Sequence, residues 1–177
     1  SEMCIRDSNY VLRDQFTRYF GVWREAEGGS RMRFDPLFAK GTTLPNAGEP
    51  PLTEAREYDA VHNIGHFRYL ECSQLAEDGQ PDGHITVWDE IHFPFDPALR
   101  DAEGLDRIPV CHTRQHQRIG EQYRCGTGGE LLVTIANLSA GYERTFRLGR
   151  WGAALQPIVP GGSKKPPVRR KKTSNSN

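Results

Sequence analysis

The feature that most narrows the choice of fold is a pair of alternating runs around one polar turn, from His62 to Pro97: HNIGHFRYLECSQLAEDGQPDGHITVWDEIHFPFDP. In the first run Phe67 and Tyr69 fall on one side, with Arg68 and Leu70 on the other. In the second, Ile85, Val87, Ile91 and Phe93 share a face at period two, with Thr86, Trp88, Glu90 and His92 opposite. Successive strand side chains point to opposite faces, so this pattern means two half-buried strands. The intervening EDGQPDG is made of turn-forming residues. Two strands alone are marginal in water, so the rest of the chain must supply a second layer.

The flanking sequence supplies more short strands. Phe16 to Glu25 is apolar enough for one, and Gly21 within it signals a bulge or a close backbone approach. Glu27-Gly28-Gly29-Ser30 reads as a hairpin turn, after which Met32 and Phe34 restart an alternation that runs to Lys40. Pro36 inside that run marks an edge strand or a bulge. Asn46 to Pro51 is a loop, and Thr53 to Glu57 fits either a helical turn or a strand start. Asp96 to Arg107 is polar and proline-led, with room for one short helix, and Cys111 to Gln122 has no clear period. Glu121 to Cys125, Gly129 to Ala136 and Tyr142 to Leu148 read as three further strands, and Asn137 to Gly141 as the turn between the last two. Six to eight short strands with almost no helical periodicity predict an all-β, antiparallel two-layer β-sandwich with little helix.

The two ends differ from the middle. Residues 1–8, SEMCIRDS, look like one reading frame of a sequencing-library adapter, which sets them and Cys4 apart from the fold. On that reading the chain is the C-terminal piece of a longer protein. The last stretch, GGSKKPPVRRKKTSNSN, carries six basic residues and no acidic one. The whole chain is formally neutral; removing +6 at the tail and −1 at residues 1–8 leaves 0 − 6 + 1 = −5 for residues 9–160. The organisation expected is a sandwich domain over residues 9–151, closed by Trp151, and a disordered basic tail over 152–177. Such a tail either solvates the end of the chain or makes electrostatic contact with an acidic partner or nucleic acid. No apolar run approaches the eighteen or so residues of a membrane span. Cysteines without a CxxC pair and the lack of a secretory pattern at residue 1 point to a reducing, cytoplasmic setting.

Six histidines raise the question of a metal. His62 and His66 are spaced HxxxH; His112 and His116 repeat that spacing, with Cys111 adjacent. On a helix such a pair shares a face and can hold zinc. In a strand the two side chains lie about 13 Å apart, too far for one ion, so only a loop or bulge would join them. No GxSxG nucleophile elbow and no GxxxxGK[ST] phosphate loop is present. Asp89 and Glu90 fall on opposite strand faces and cannot flank one bond.

Phe20-Gly21-Val22, the double glycine at Gly28-Gly29, and Leu37-Phe38-Ala39-Lys40-Gly41-Thr42-Thr43-Leu44-Pro45 together resemble the start of the peptide-binding β-domain of DnaK-type (seventy-kilodalton heat-shock) chaperones. Asn63-Ile64-Gly65-His66-Phe67 is similar to that family's leucine-glycine-x-phenylalanine strand, and Ile85 to Ile91 to the strand after it. Gly129 to Ile135 and Gly141 to Phe146 resemble its closing pair, so the likeness spans roughly residues 16–150. It implies a β-sandwich that clasps extended apolar peptide through main-chain hydrogen bonds and a small pocket. Carried over position by position, it puts a binding loop near Val22 and the pocket and arch residues at Leu52 and Ala55. Unfolded or extended peptide segments would be the partners, with co-chaperones beside them. This segment would not itself be an enzyme; ATP and magnesium would belong to an ATPase domain outside it, and the segment would need no cofactor of its own. The departures are a short span between Pro45 and Asn63, an insertion from Pro97 to Gln117, and too few residues after Trp151 for a helical lid.

Two other readings compete with this one. A small metal-binding β-domain, or an enzyme subunit, would use His62, His66, Cys111, His112 and His116. A structural interaction domain would use neither pocket nor metal.

Overall fold

The computed structural model describes residues 14–149 and 157–158. Residues 1–8, Trp151 and the basic stretch from Gly161 to Asn177 lie outside them. The described residues form an antiparallel β-sandwich of nine strands and three short 3-10 turns. The first sheet contains β1 (Tyr19–Ala26), β2 (Arg31–Phe38), β4 (Ile64–Leu75) and β5 (Pro81–Pro94), in the order β2-β1-β4-β5. The second contains β3 (Leu52–His62), β6 (His112–Cys125), β7 (Leu131–Asn137), β8 (Tyr142–Leu148) and the two-residue β9 (Pro157–Ile158), in that order. β9 lies within the stretch expected to be disordered; its backbone pairs with Thr145 and Phe146 of β8.

The all-β expectation holds, and so do most of its strands. The Glu27 turn joins β1 to β2, and β2, with Pro36, is an edge strand. Gly21 serves both expected purposes. The β1–β2 register shifts between Phe20 and Gly21, leaving both Leu37 and Phe38 in the core. The ring of Phe34 also lies over Gly21, in space that a side chain there would fill. Thr53 to Glu57 proves to be strand, part of β3, and the stretch after Cys111, His112 to Gln122, opens the single long strand β6.

One face assignment is overturned. Ile85 and Val87 do not share a face with Ile91 and Phe93. Arg68 opposes Glu90 but Leu70 opposes Val87, so β5 carries one extra residue at Trp88–Asp89. A bulge of this kind reverses the phase of everything beyond it. Trp88 turns inward against Phe20, with ring centroids 4.7 Å apart. Ile85 and Val87 turn outward and stay 47% and 53% exposed. The bulged Asp89 amide donates to the Gly149 carbonyl, tying β5 to the segment after β8.

The main core lies between the sheets, with Phe20, Val22, Phe67, Tyr69 and Phe93 facing Ile119, Tyr123, Val133, Ile135 and Phe146. A smaller cluster of Phe34, Leu70 and Cys72, with Trp23 beside it, sits on the outer face of the first sheet. The insertion from Pro97 forms a strap with two 3-10 turns. Asn63 pins it: its side chain accepts from the Cys111 amide and donates to the Pro109 carbonyl, while its own carbonyl takes the Phe95 and Asp96 amides.

Candidate functional site

β2 and β3 are both edge strands, one from each sheet, and they face each other across the sandwich. The recess between them has a volume of about 280 Å³. Its walls are Tyr19, Pro36, Leu37, Phe38 and Ala39 on one side and Leu52, Thr53 and Glu54 on the other, with Thr42 at the margin. Ligand clefts start near about 300 Å³, so a space of this size takes one aliphatic or aromatic side chain rather than a nucleotide.

A ladder of charges crosses between the sheets beside the recess. Glu54, at its wall, accepts from Arg56 Nη1 at 3.0 Å. Arg56 also grips Asp35 of β2 with Nε at 3.0 Å and Nη2 at 3.2 Å. Asp35 takes a further bond from Arg24 Nε at 2.6 Å. Arg24 then reaches Glu121 of β6 with both terminal nitrogens, at 2.8 and 3.0 Å. The Glu121 side chain has no exposed surface. Tyr123 donates its hydroxyl to Glu121 and lies 3.1 Å from the Tyr69 hydroxyl.

The electrostatics follow from burial. Burial opposes the charge on Arg24, but Glu121 outweighs it and holds the guanidinium well above its ordinary range. Burial likewise pushes the Asp35 carboxyl up, and Arg56 and Arg24 together more than reverse this, so it titrates below the usual carboxylate range. Burial, then the Glu121 charge, raises the Tyr58 and Tyr69 phenols, which stay protonated and able to donate. Each carboxylate in the ladder is held by an arginine, so its chemistry is to tie the sheets together beside the recess.

The structure separates the residues expected from sequence. Leu52 faces inward and lines the recess. Ala55 lies on the opposite, exposed face of β3, so pocket and arch residues do not meet. Val22 is fully buried beside Tyr69 and offers a ligand no surface. The HxxxH pairs also come apart. His62 ends β3 and pairs with His112, with ring centroids 4.4 Å apart. His66 belongs to the other sheet and stacks on His92. Cys111 is exposed just before β6, and His116 is exposed four residues along that strand. Among the described residues, no three histidine, cysteine, aspartate or glutamate side chains converge, as they stand, on a point that would hold a metal ion.

The charge ladder was not anticipated from sequence, although the signal was present. Arg24 continues the inward series Phe20, Val22, and Glu121 sits in the inward series Ile119, Tyr123, Cys125. A charge at a core phase in two different strands marks a buried pair. No protein-family model matches the chain, and no curated protein matches it.

Proposed function

We propose that this domain binds extended polypeptide segments, as the resemblance to the peptide-binding domain of DnaK-type chaperones implies. The observation that carries the reading is the recess between β2 and β3, with Leu52 in its wall. Both flanking strands are sheet edges, and an edge strand has unpaired backbone groups that an extended peptide can take up. An apolar side chain of the peptide enters the recess beside Leu37, Phe38 and Leu52. ATP hydrolysis, on this reading, belongs to a separate domain.

The test is fluorescence anisotropy of a labelled extended peptide, apolar at its centre with flanking lysines, titrated with the full chain. A charge in the recess, Leu52→Asp, is expected to weaken binding by about tenfold or more, the effect of leaving a buried charge unpaired. Ala55→Asp, on the exposed face of the same strand, is expected to leave binding unchanged. Equal affinity for the wild-type and Leu52→Asp proteins overturns the reading.

A further inference from the structure

The outer face of the first sheet brings together a second set of chemically active side chains. Phe67, Ile91 and Phe93 point into the core, so their neighbours His66, Glu90 and His92 point out. His66 and His92 are directly paired across the β4–β5 ladder. Glu90 lies two residues before His92 on the same face. The ladder runs without a break from Ile64–Pro94 to Arg68–Glu90, so the backbone fixes all three positions. Directly opposed residues hold their Cβ atoms about 4.5–5.5 Å apart, and i, i+2 neighbours about 6.6 Å. That triangle is small enough for three such side chains to meet at one ion with bonds of about 2.0–2.2 Å.

We propose that His66, His92 and Glu90 form a surface site for a divalent transition metal of the zinc class. Two imidazoles and one carboxylate suit zinc and its neighbours rather than magnesium or calcium, which take oxygen donors. Two of the three donors already touch: His66 Nε2 is 2.6 Å from Glu90 Oε2. The third is in van der Waals reach, since the His66 and His92 rings stack with centroids 4.3 Å apart and planes 14° apart. The rings are stacked rather than aimed at one point, so metal binding turns the imidazoles about their side-chain torsions. The 3-10 turn Leu105–Arg107, which carries Asp106, packs against β5. The metal therefore binds across strands, not along the HxxxH spacing.

The other histidine contact is the natural control. His62 and His112 also approach each other, and Glu25 Oε2 lies 3.7 Å from His62 Nδ1. But His62 sits beyond a register break in the β3–β6 ladder, and Glu25 comes from the opposite sheet. These three are not held by one continuous ladder.

The experiment is titration of the full chain with Co²⁺, whose visible d–d absorption reports coordination, followed by displacement with Zn²⁺. The proposal is independent of peptide binding, and all three side chains are on the surface, so the variants fold; far-ultraviolet circular dichroism checks this. The expected result is one Co²⁺ band that Zn²⁺ abolishes, with affinity lowered by more than about tenfold in His66→Ala and in His92→Ala. Glu90→Gln is expected to weaken binding and His112→Ala to leave it unchanged. Absence of a Co²⁺ band, or a band lost in His112→Ala but kept in His66→Ala, overturns the proposal.

Discussion

Replacing Arg24 by methionine removes a cation from the middle of the sandwich and leaves its partner behind. Glu121 has no exposed side-chain surface and loses bonds of 2.8 and 3.0 Å. The Tyr123 hydroxyl still donates to it, and the Tyr58 phenol stands beside it. Breaking a buried pair from one side costs about 3–5 kcal/mol, because the surviving charge is out of water and has lost its counter-ion. For a domain of this size each kcal/mol moves the melting temperature by roughly 2–4 °C, so Arg24→Met should lower it by roughly 6–20 °C. The double variant Arg24→Met/Glu121→Leu removes both charges and leaves Asp35 with Arg56 and Tyr123 with Tyr69. Replacing a whole buried pair by apolar side chains is often close to neutral, so the double variant should be more stable than Arg24→Met alone. Urea unfolding followed by tryptophan fluorescence gives the free energies for a double-mutant cycle. A cost below about 1 kcal/mol for Arg24→Met, or a double variant that loses the sum of the two singles, would refute the claim that this pair is buried and coupled.

Three other outcomes follow from particular contacts. Gly21→Ala puts a methyl group into the Phe34 ring and the Asp35 carbonyl, so its urea midpoint should fall by the equivalent of about 1–3 kcal/mol; an unchanged midpoint would mean the ring does not sit there. The Asp35 carboxyl titrates below its ordinary range when folded. The folded protein therefore binds that proton less readily than the unfolded chain, and the stabilisation is full above the ordinary carboxylate range and lost as pH falls from there through the lower folded-state value. Asp35→Asn should flatten this acid limb in melts taken across pH, and an unaltered limb would count against the Arg56–Asp35–Arg24 bridge. Cys125 is fully buried, and burial, aided by Glu130, pushes its thiol up to about 11. Brief maleimide treatment at neutral pH, read by peptide mass spectrometry, should modify exposed Cys111 and spare Cys72 and Cys125 until urea is added.

Elements with a simple alternation were legible from sequence. β7 and β8 bury Leu131, Val133, Ile135, Tyr142, Phe146 and Leu148 in step with their spacing. β3 was ambiguous for a physical reason: its inward positions include Glu54 and Arg56, which bond to each other and reach Asp35 on β2, so hydrophobicity alone does not show its period. β6 was obscured because its first half, His112 to Arg118, runs exposed beyond the core. The phase error in β5 came from its bulge, which depends on register with β4 and leaves no local signature beyond an irregular apolar order. At the candidate site, Leu52, the pocket position implied by the chaperone resemblance, is in the recess wall, whereas Val22 is inside the core and Ala55 is on the exposed face of β3. The histidine pairs failed as read because proximity in a sheet follows the ladder, which joins His66 to His92 and His62 to His112.

Peptide binding in the β2–β3 recess is the central claim, and methyl nuclear magnetic resonance of the full chain tests it most directly. A titration with the lysine-flanked apolar peptide should move the methyl signals of Leu37 and Leu52 first and most. Intermolecular contacts from these methyls to the apolar side chain at the centre of the peptide should appear with them. The methyls of Ile85 and Val87, exposed on the outer face of the first sheet at its far edge strand, should stay where they are. Saturable shifts confined to Ile85 and Val87, or no shifts at Leu37 and Leu52 at any peptide concentration, would contradict the account.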